Sequence, residues 1–244
     1  MAYTLVLPFH SDLTSIGETV RRAREEGGPV HGVREVVLAH NGRPLSPEAQ
    51  AKVDALVAPR EGDKPEVRFA DTTDKGIGAG YKLGIREARE PFVILSADDL
   101  PFGWSDLIAF ERAGRPDFAI GSKAHPESKL VGVTKMRRAS SLTFLTLRRL
   151  LLGAATPGDS QGSFILRTSV AQALAPELVY DHYLCSLELA TLHLERGGRV
   201  VEVPIVVDHN PHQSSVSVVS DGWRMAKELV ELRQRMRRRR VRSS

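Results

Sequence analysis

The chain of 244 residues has room for one α/β domain with at most a small appendage, and 41% hydrophobic residues supply a core, which excludes global disorder. Its single cysteine, Cys185, excludes an internal disulfide and suits a reducing compartment. Seven arginines between Arg233 and Arg242 outweigh the whole net charge of +4, leaving the remainder at −3, which argues against a basic groove for nucleic acid in the folded body.

Met1-Ala2-Tyr3 runs directly into strand-like Thr4-Leu5-Val6-Leu7 rather than into a leader pattern. Pro8-Phe9-His10-Ser11-Asp12 then reads as a loop above a sheet edge. Ser15 precedes a helical pattern through Ile16, Val20 and Ala23 that stops at Gly27-Gly28. Glu35 to Ala39 is a second strand ending in the turn-like His40-Asn41-Gly42, and Ser46-Pro47-Glu48 opens a helix to about Val57. Val67 to Ala70 is a third strand. The glycine loop Lys75-Gly76-Ile77-Gly78-Ala79-Gly80 follows it, then a helix through Leu83, Ile85 and Ala88. A dinucleotide fingerprint belongs after the first strand, so this loop does not indicate a Rossmann dehydrogenase.

Pro91 to Leu95 is a short apolar run that ends abruptly in Ser96-Ala97-Asp98-Asp99-Leu100. Such a run reads as a buried parallel strand. Two carboxylates at its C-terminal end lie where open α/β sheets place their ligands. Hard cations such as Mg²⁺ or Mn²⁺ favour these oxygens and hold phosphates at the same time; the competing reading is a cap on the next helix. The alternation of strand and helix predicts an α/β, doubly wound and mostly parallel sheet flanked by helices.

Beyond residue 100, Phe118 to Gly121 is a strand ending in Ser122-Lys123, His125 to Lys135 is polar, and Ser140 to Leu152 is an apolar helix. Gly158 to Ser163 is a polar loop before Phe164-Ile165-Leu166. Tyr183 to Glu195 is helical, Gly197-Gly198 stops it, and Val200 to Val207 is a strand interrupted by Pro204. Asp221 caps a final helix. There Met225, Leu229, Leu232 and Met236 form a stripe beside Trp223 and ahead of the arginines, the pattern of an amphipathic helix lying on anionic lipid or packing on the domain. No apolar run reaches the roughly 18–20 residues of a spanning helix. The expectation is a cytoplasmic protein, with peripheral contact at the membrane inner face left open.

In this order the loops resemble the family 2 glycosyltransferases of the GT-A fold, most of all the polyprenyl-phosphate branch that includes the dolichyl-phosphate glucose and mannose synthases. The resemblance runs from residue 3 to about 232. Pro8-Phe9-His10-Ser11-Asp12 stands at the first nucleotide-contacting loop, and Lys75-Gly76-Ile77-Gly78-Ala79 at a Gly-Lys-Gly-x-Ala loop. Ala97-Asp98-Asp99-Leu100 stands at the Asp-x-Asp metal motif, Gly121-Ser122-Lys123 at Gly-Ser-Arg, and Asp159-Ser160-Gln161-Gly162-Ser163-Phe164 at Asp-Thr-Gln-x-Gly-Phe. Glu188 matches a late helix glutamate and Glu202-Val203-Pro204-Ile205 matches Glu-Val-Pro-Val. Four departures stand out. Ala97-Asp98-Asp99-Leu100 replaces Asp-x-Asp with two adjacent acids, His40-Asn41-Gly42 replaces Asp-Asp-Gly, Gln213-Ser214-Ser215 replaces Gly-Ser-Lys, and the membrane helices that usually follow are absent.

The resemblance implies a GT-A catalytic domain over 1–220, with 221–244 as amphipathic helix and Arg-rich tail. It implies a nucleotide-sugar site at Pro8, His10, Asp12, His40, Asn41, Lys75, Gly78 and Asp98, and Mg²⁺ or Mn²⁺ on Asp98 and Asp99. Asp159 and Gln161 become the catalytic pair. Asp159 is a general base if the acceptor is a hydroxyl, and an orienting group if it is a lipid phosphate, which is already anionic. Lys123, Arg137 and Arg138 are cations for an acceptor phosphate. Glu188 is either a site residue or the buried partner of an arginine, Cys185 a core residue, and His209 and His212 polar loop residues near the diphosphate. The expected partners are a nucleotide-sugar donor and a polyprenyl-phosphate acceptor. A soluble hydroxyl acceptor, or a non-catalytic nucleotide-sugar-binding module, is the alternative. Nucleic acid is not expected.

Overall fold

The computed structural model describes residues 1–11, 13–131, 146, 148–153, 156–157, 163–208, 227 and 229–239. Seven strands form the main sheet in the order β3-β2-β1-β4-β7-β5-β8. They are β1 (Tyr3–Phe9), β2 (Val33–Asn41), β3 (Glu66–Thr72), β4 (Phe92–Leu95), β5 (Phe118–Ser122), β7 (Phe164–Arg167) and β8 (Val201–Pro204). β1 pairs parallel with β2 and β4, and β2 with β3; β5 pairs parallel with β8, while β7 runs antiparallel between β4 and β5. β6 (Lys129–Val131) and β9 (Val206–Asp208) make a separate parallel pair. The expected mostly parallel, helix-flanked sheet is therefore present.

β1 is buried along its whole length, as a central strand covered on both faces must be. Its alternate residues feed two cores. Tyr3, Leu5, Leu7 and Phe9 face helices α1 (Thr14–Arg22) and α5 (Ser105–Arg112). Val6 faces α4 (Ile77–Glu87) and the helices Thr168–Leu174 and Leu184–Glu195. Helix α2 (Gly28–His31) and helix α3 (Pro47–Leu56) complete the N-terminal half, α3 capped by the Ser46 hydroxyl at 3.2 Å from Ala49 N.

Three local readings change. The Gly27-Gly28 pair does not stop α1; a π-helical turn (Ala23–Gly27) and α2 continue it, and Gly32, at φ 74°, ends it. A methyl on Gly27 would stand 2.7 Å from the Trp104 ring, so this glycine serves packing. The strand read over 200–207 as interrupted by Pro204 does break there, but its halves join different sheets, with Ile205 turned in against Gly121. The polar stretch from His125 contains β6, which pairs with β9. Of the helix read over 140–152, residues 148–152 are described and are helical.

Helical residues 229–239 pack on the body. Leu229, Leu232 and Met236 are buried with Leu184 and Leu187. Among the described residues no helix is long and apolar enough to cross a membrane.

Candidate active site

The C-terminal ends of the parallel strands form one edge, and the register shows what meets there. Phe9 is level with His40, Asn41 with Thr72, and Val6 with Leu95. The antiparallel β7 begins where β4 ends, since Phe164 pairs with Leu95, and β5 reaches the same edge with Ile120 opposite Phe164. Ser96–Leu100, Ser163 and Ser122–Lys123 are thus brought to the side where β1 and β2 present His10 and Asn41.

On the β1–β2 side the groups lock one another. His10 Nδ1–H donates to Asn41 O at 2.7 Å, and His40 Nε2–H donates to His10 O at 3.0 Å. His10 itself is exposed. His40, expected beside the nucleotide, is 2% exposed and lies between Phe9 and Phe69. Burial holds its imidazole below the ordinary value of 6.5. Its place is under the loop. Asn41 is also buried, and its amide donates to Gly76 O at 2.5 Å. Pro8 is buried in β1, where a methyl on Gly80 would stand 2.6 Å from Pro8 Cβ.

Gly78 is likewise a packing residue rather than a surface one. Its N–H donates to Asp181 O at 2.8 Å, the Ala79 N–H reaches the same oxygen at 3.2 Å, and a methyl there would strike Cys185. The Asp181 carbonyl thereby satisfies the first amides of α4, groups that otherwise await a cap or an anion. Lys75, one residue before the φ 113° Gly76, remains exposed. Cys185 is buried and its thiol is pushed up to about 12, which confirms it as a core residue.

Asp98 and Asp99 are half-buried in the turn after β4. Leu100 N donates to Ala97 O at 3.2 Å, and Leu100 takes the rare φ of 48°. Thr19 of α1, itself buried, donates its hydroxyl to Asp98 O at 2.7 Å. Burial raises the Asp99 carboxyl above its ordinary value, with its own backbone N–H opposing. Tyr81 of α4 is raised as well, first by burial and then by neighbouring negative charge that includes Asp98.

Among the described residues no three His, Cys, Asp or Glu side chains gather as a metal cage. Two half-buried carboxylates at an open edge suit a hard divalent ion that takes its remaining ligands from water and substrate phosphates, so the donor set fits Mg²⁺ or Mn²⁺.

Lys123 stands over the Phe102 ring, its ammonium 5.8 Å from the centroid, on the turn that follows the two acids. Asp12, Arg137, Arg138, Asp159, Gln161, His209 and His212 lie outside the described residues. Two residues carried no local signal. Thr19 looked like an ordinary helix position. Asp106 is 3% exposed and its carboxyl is raised by burial; it accepts Leu107 N–H at 2.7 Å and lies under Gly121 and Ser163.

No family model matches the sequence, and no curated protein is significantly similar to it. Solved structures share its fold. Glucosyl-3-phosphoglycerate synthase from Mycobacterium tuberculosis in complex with uridine diphosphate is 12% identical, over 95% of this chain and 78% of that one, with a TM-score of 0.60. The same enzyme with Mn²⁺, uridine-diphosphate-glucose and phosphoglyceric acid is 12% identical over 95% and 79%, also at 0.60. With Mn²⁺, uridine-diphosphate-glucose and glycerol 3-phosphate it is 11% identical over 95% and 78%, at 0.59. The chain has the GT-A fold.

Proposed function

We propose that this chain is a divalent-metal-dependent glycosyltransferase that moves a sugar from a nucleoside-diphosphate sugar to a soluble, hydroxyl-bearing acceptor. The observation that carries the reading is the convergence of Asp98 and Asp99 with the His10–Asn41 loop and Lys123 on one sheet edge. Asp98 and Asp99 would hold Mg²⁺ or Mn²⁺. When bound, the ion supplies Lewis-acid neutralisation of the leaving diphosphate. On the nucleotide side, His10 offers an exposed imidazole and Lys75 a point charge for phosphate. Asp12 is assigned to the same side. Pro8, His40, Asn41 and Gly78 hold the frame. Asp159 is assigned as general base to the acceptor hydroxyl, with Gln161 as its neighbour, and Lys123, Arg137 and Arg138 to an acceptor phosphate.

The soluble acceptor is preferred over a polyprenyl phosphate on two grounds. The fold neighbours above were solved with phosphoglyceric acid and glycerol 3-phosphate, small water-soluble phosphates bearing hydroxyls. Of the apolar stripe read as serving either lipid or the domain, Leu229, Leu232 and Met236 are turned into the body. Thermal-shift measurement over a panel of nucleotides and nucleotide sugars, with and without Mn²⁺, tests the donor half. Stabilisation by a nucleoside diphosphate that requires the metal is expected. Stabilisation by a nucleotide sugar that ignores the metal would favour the non-catalytic binding reading, and a flat panel would count against both. On the acceptor half, Asp159→Asn is expected to lower kcat by about 10²-fold or more, within the range of general-base catalysis, while calorimetric donor affinity stays within about twofold.

A further inference from the structure

The geometry points to Arg235 and Glu188 as positioning residues that set the donor-side glycine loop from the C-terminal helix, an inference that rests on the glycosyltransferase reading for its catalytic consequence. Glu188 is 1% exposed on the helix Leu184–Glu195. Its Oε2 accepts Val179 N–H at 2.8 Å and Tyr180 N–H at 3.1 Å. Its Oε1 lies 3.1 Å from Arg235 Nη1, close enough for an ion pair though off the hydrogen-bonding line. Arg235 also donates from Nη2 to Glu177 O at 3.0 Å, and Arg239 pairs with the Glu177 carboxylate. The segment 177–180 is therefore held at one end by the C-terminal helix and at the other by Glu188, which that helix pairs through Arg235.

The next residue, Asp181, carries the link onward. Its carbonyl accepts Gly78 N–H and Ala79 N–H, and its carboxylate pairs with Lys82 of α4. A methyl on Gly76 would collide with the same carbonyl, so the loop and this segment meet backbone to backbone. Gly76 O in turn receives the Asn41 amide, and Asn41 O receives His10. A contiguous path thus runs from Arg235 through Glu188 to the loop bearing Lys75 and to His10. Such a path conveys a shift because close-packed backbone contacts deform little. Removing the Arg235 charge leaves Glu188 buried without its cation, a state that is avoided by protonation or by movement of the Val179–Asp181 turn.

Two measurements on the full-length protein decide this. The variants are Arg235→Met, which keeps the apolar stem, and Arg235→Lys, which keeps the charge. Hydrogen exchange of a peptide covering residues 76–81 is expected to quicken in Arg235→Met and to return most of the way in Arg235→Lys, while exchange in β1 stays unchanged. In parallel, calorimetry with uridine diphosphate and Mn²⁺ is expected to give a Kd weaker by about five- to tenfold in Arg235→Met, the lower part of the usual range for coupled sites, with kcat at saturating donor within about twofold. Unchanged exchange over 76–81 overturns the link, whatever the ligand proves to be. Quickened exchange without loss of affinity overturns the positioning role alone. A parent protein that binds no nucleotide in the thermal-shift panel overturns the glycosyltransferase reading and the positioning role with it. Uniformly quickened exchange, β1 included, assigns Arg235 to global stability and also overturns the proposal.

Discussion

Asp98 and Asp99 are held in place by their backbone: Thr19 fixes the Asp98 carbonyl, and the Leu100 turn closes after them. Their carboxylates can therefore be changed without unfolding the chain. Asp98→Ala and Asp99→Ala are each expected to lower metal-dependent turnover by about 10²-fold or more, the scale on which one preorganised electrostatic group acts. Stability should shift by less than about 1 kcal/mol, because the backbone contacts that hold the turn are kept. Turnover that survives both substitutions, or that ignores a chelator, would refute the metal assignment. His40 gives a pH prediction. Its folded-state pKa is depressed by burial, as are those of His31 and His193. The unfolded chain then binds protons more readily between the folded value and 6.5, so this contribution is complete above 6.5 and is lost as pH falls through the folded value. Melting temperature should drop on acidification below 6.5, and His40→Gln should flatten part of that slope; an unchanged slope would remove His40 as a contributor. The acids were legible in sequence because an apolar run stops at them. The inward turn of Gly78 and His40 was not. Gly78 answers to the Asp181 carbonyl, 103 residues away, and His40 to two phenylalanines from neighbouring strands.

At the scale of elements, α4 is the piece on which the donor side depends, and it lies close on β1 because its inner face carries glycines. A methyl on Gly84 would overlap Val6 Cγ1, and one on Gly80 would crowd Pro8. Gly84→Ala is expected to destabilise the fold by about 1–3 kcal/mol, the usual cost of overpacking. This should outweigh the ~1 kcal/mol that alanine offers over glycine within a helix. Val6→Ala in the same chain should recover part of the loss by opening the space, giving a favourable coupling in a double-mutant cycle read by denaturant melts. Simple additivity of the two changes would mean that the helix shifts instead of straining. The strands and α4 were readable because their apolar periods are local. Two features were not. The π-helical turn Ala23–Gly27 leaves no periodic mark of its own, yet it seats Trp104, whose indole N–H reaches Glu26 at 2.8 Å. The break at Pro204 was readable, but which partner each half of the 200–207 strand finds, β5 or β6, is a property of the assembled sheets.

For the molecule as a whole, the C-terminal helix decides whether this is a free-standing domain or one that leans on a lipid surface. Its amphipathic pattern admits both readings, since the same stripe serves a bilayer or a protein face. In the folded chain Leu229, Leu232 and Met236 are spent on Leu184, Leu187 and partly buried Tyr180, Leu151 and Leu152. Arg235 and Arg239 are spent on Glu188 and Glu177, while Arg237 and Arg238 stay exposed. Moving the stripe into lipid would uncover those partners and leave Glu188 a buried carboxylate without its arginine, which disfavours the exchange. Leu232→Ala is therefore expected to lower stability by about 2–5 kcal/mol, as for other buried leucines, and to leave co-sedimentation with anionic vesicles unchanged. Sedimentation through the exposed arginines alone would fade as salt rises and would be removed by Arg237→Gln with Arg238→Gln, without a change in melting temperature. The opposite pattern would reverse the assignment. If Leu232→Ala abolished vesicle binding at physiological salt while the melting temperature held, the stripe would belong to the bilayer, and a lipid-borne acceptor would regain its place over a soluble one.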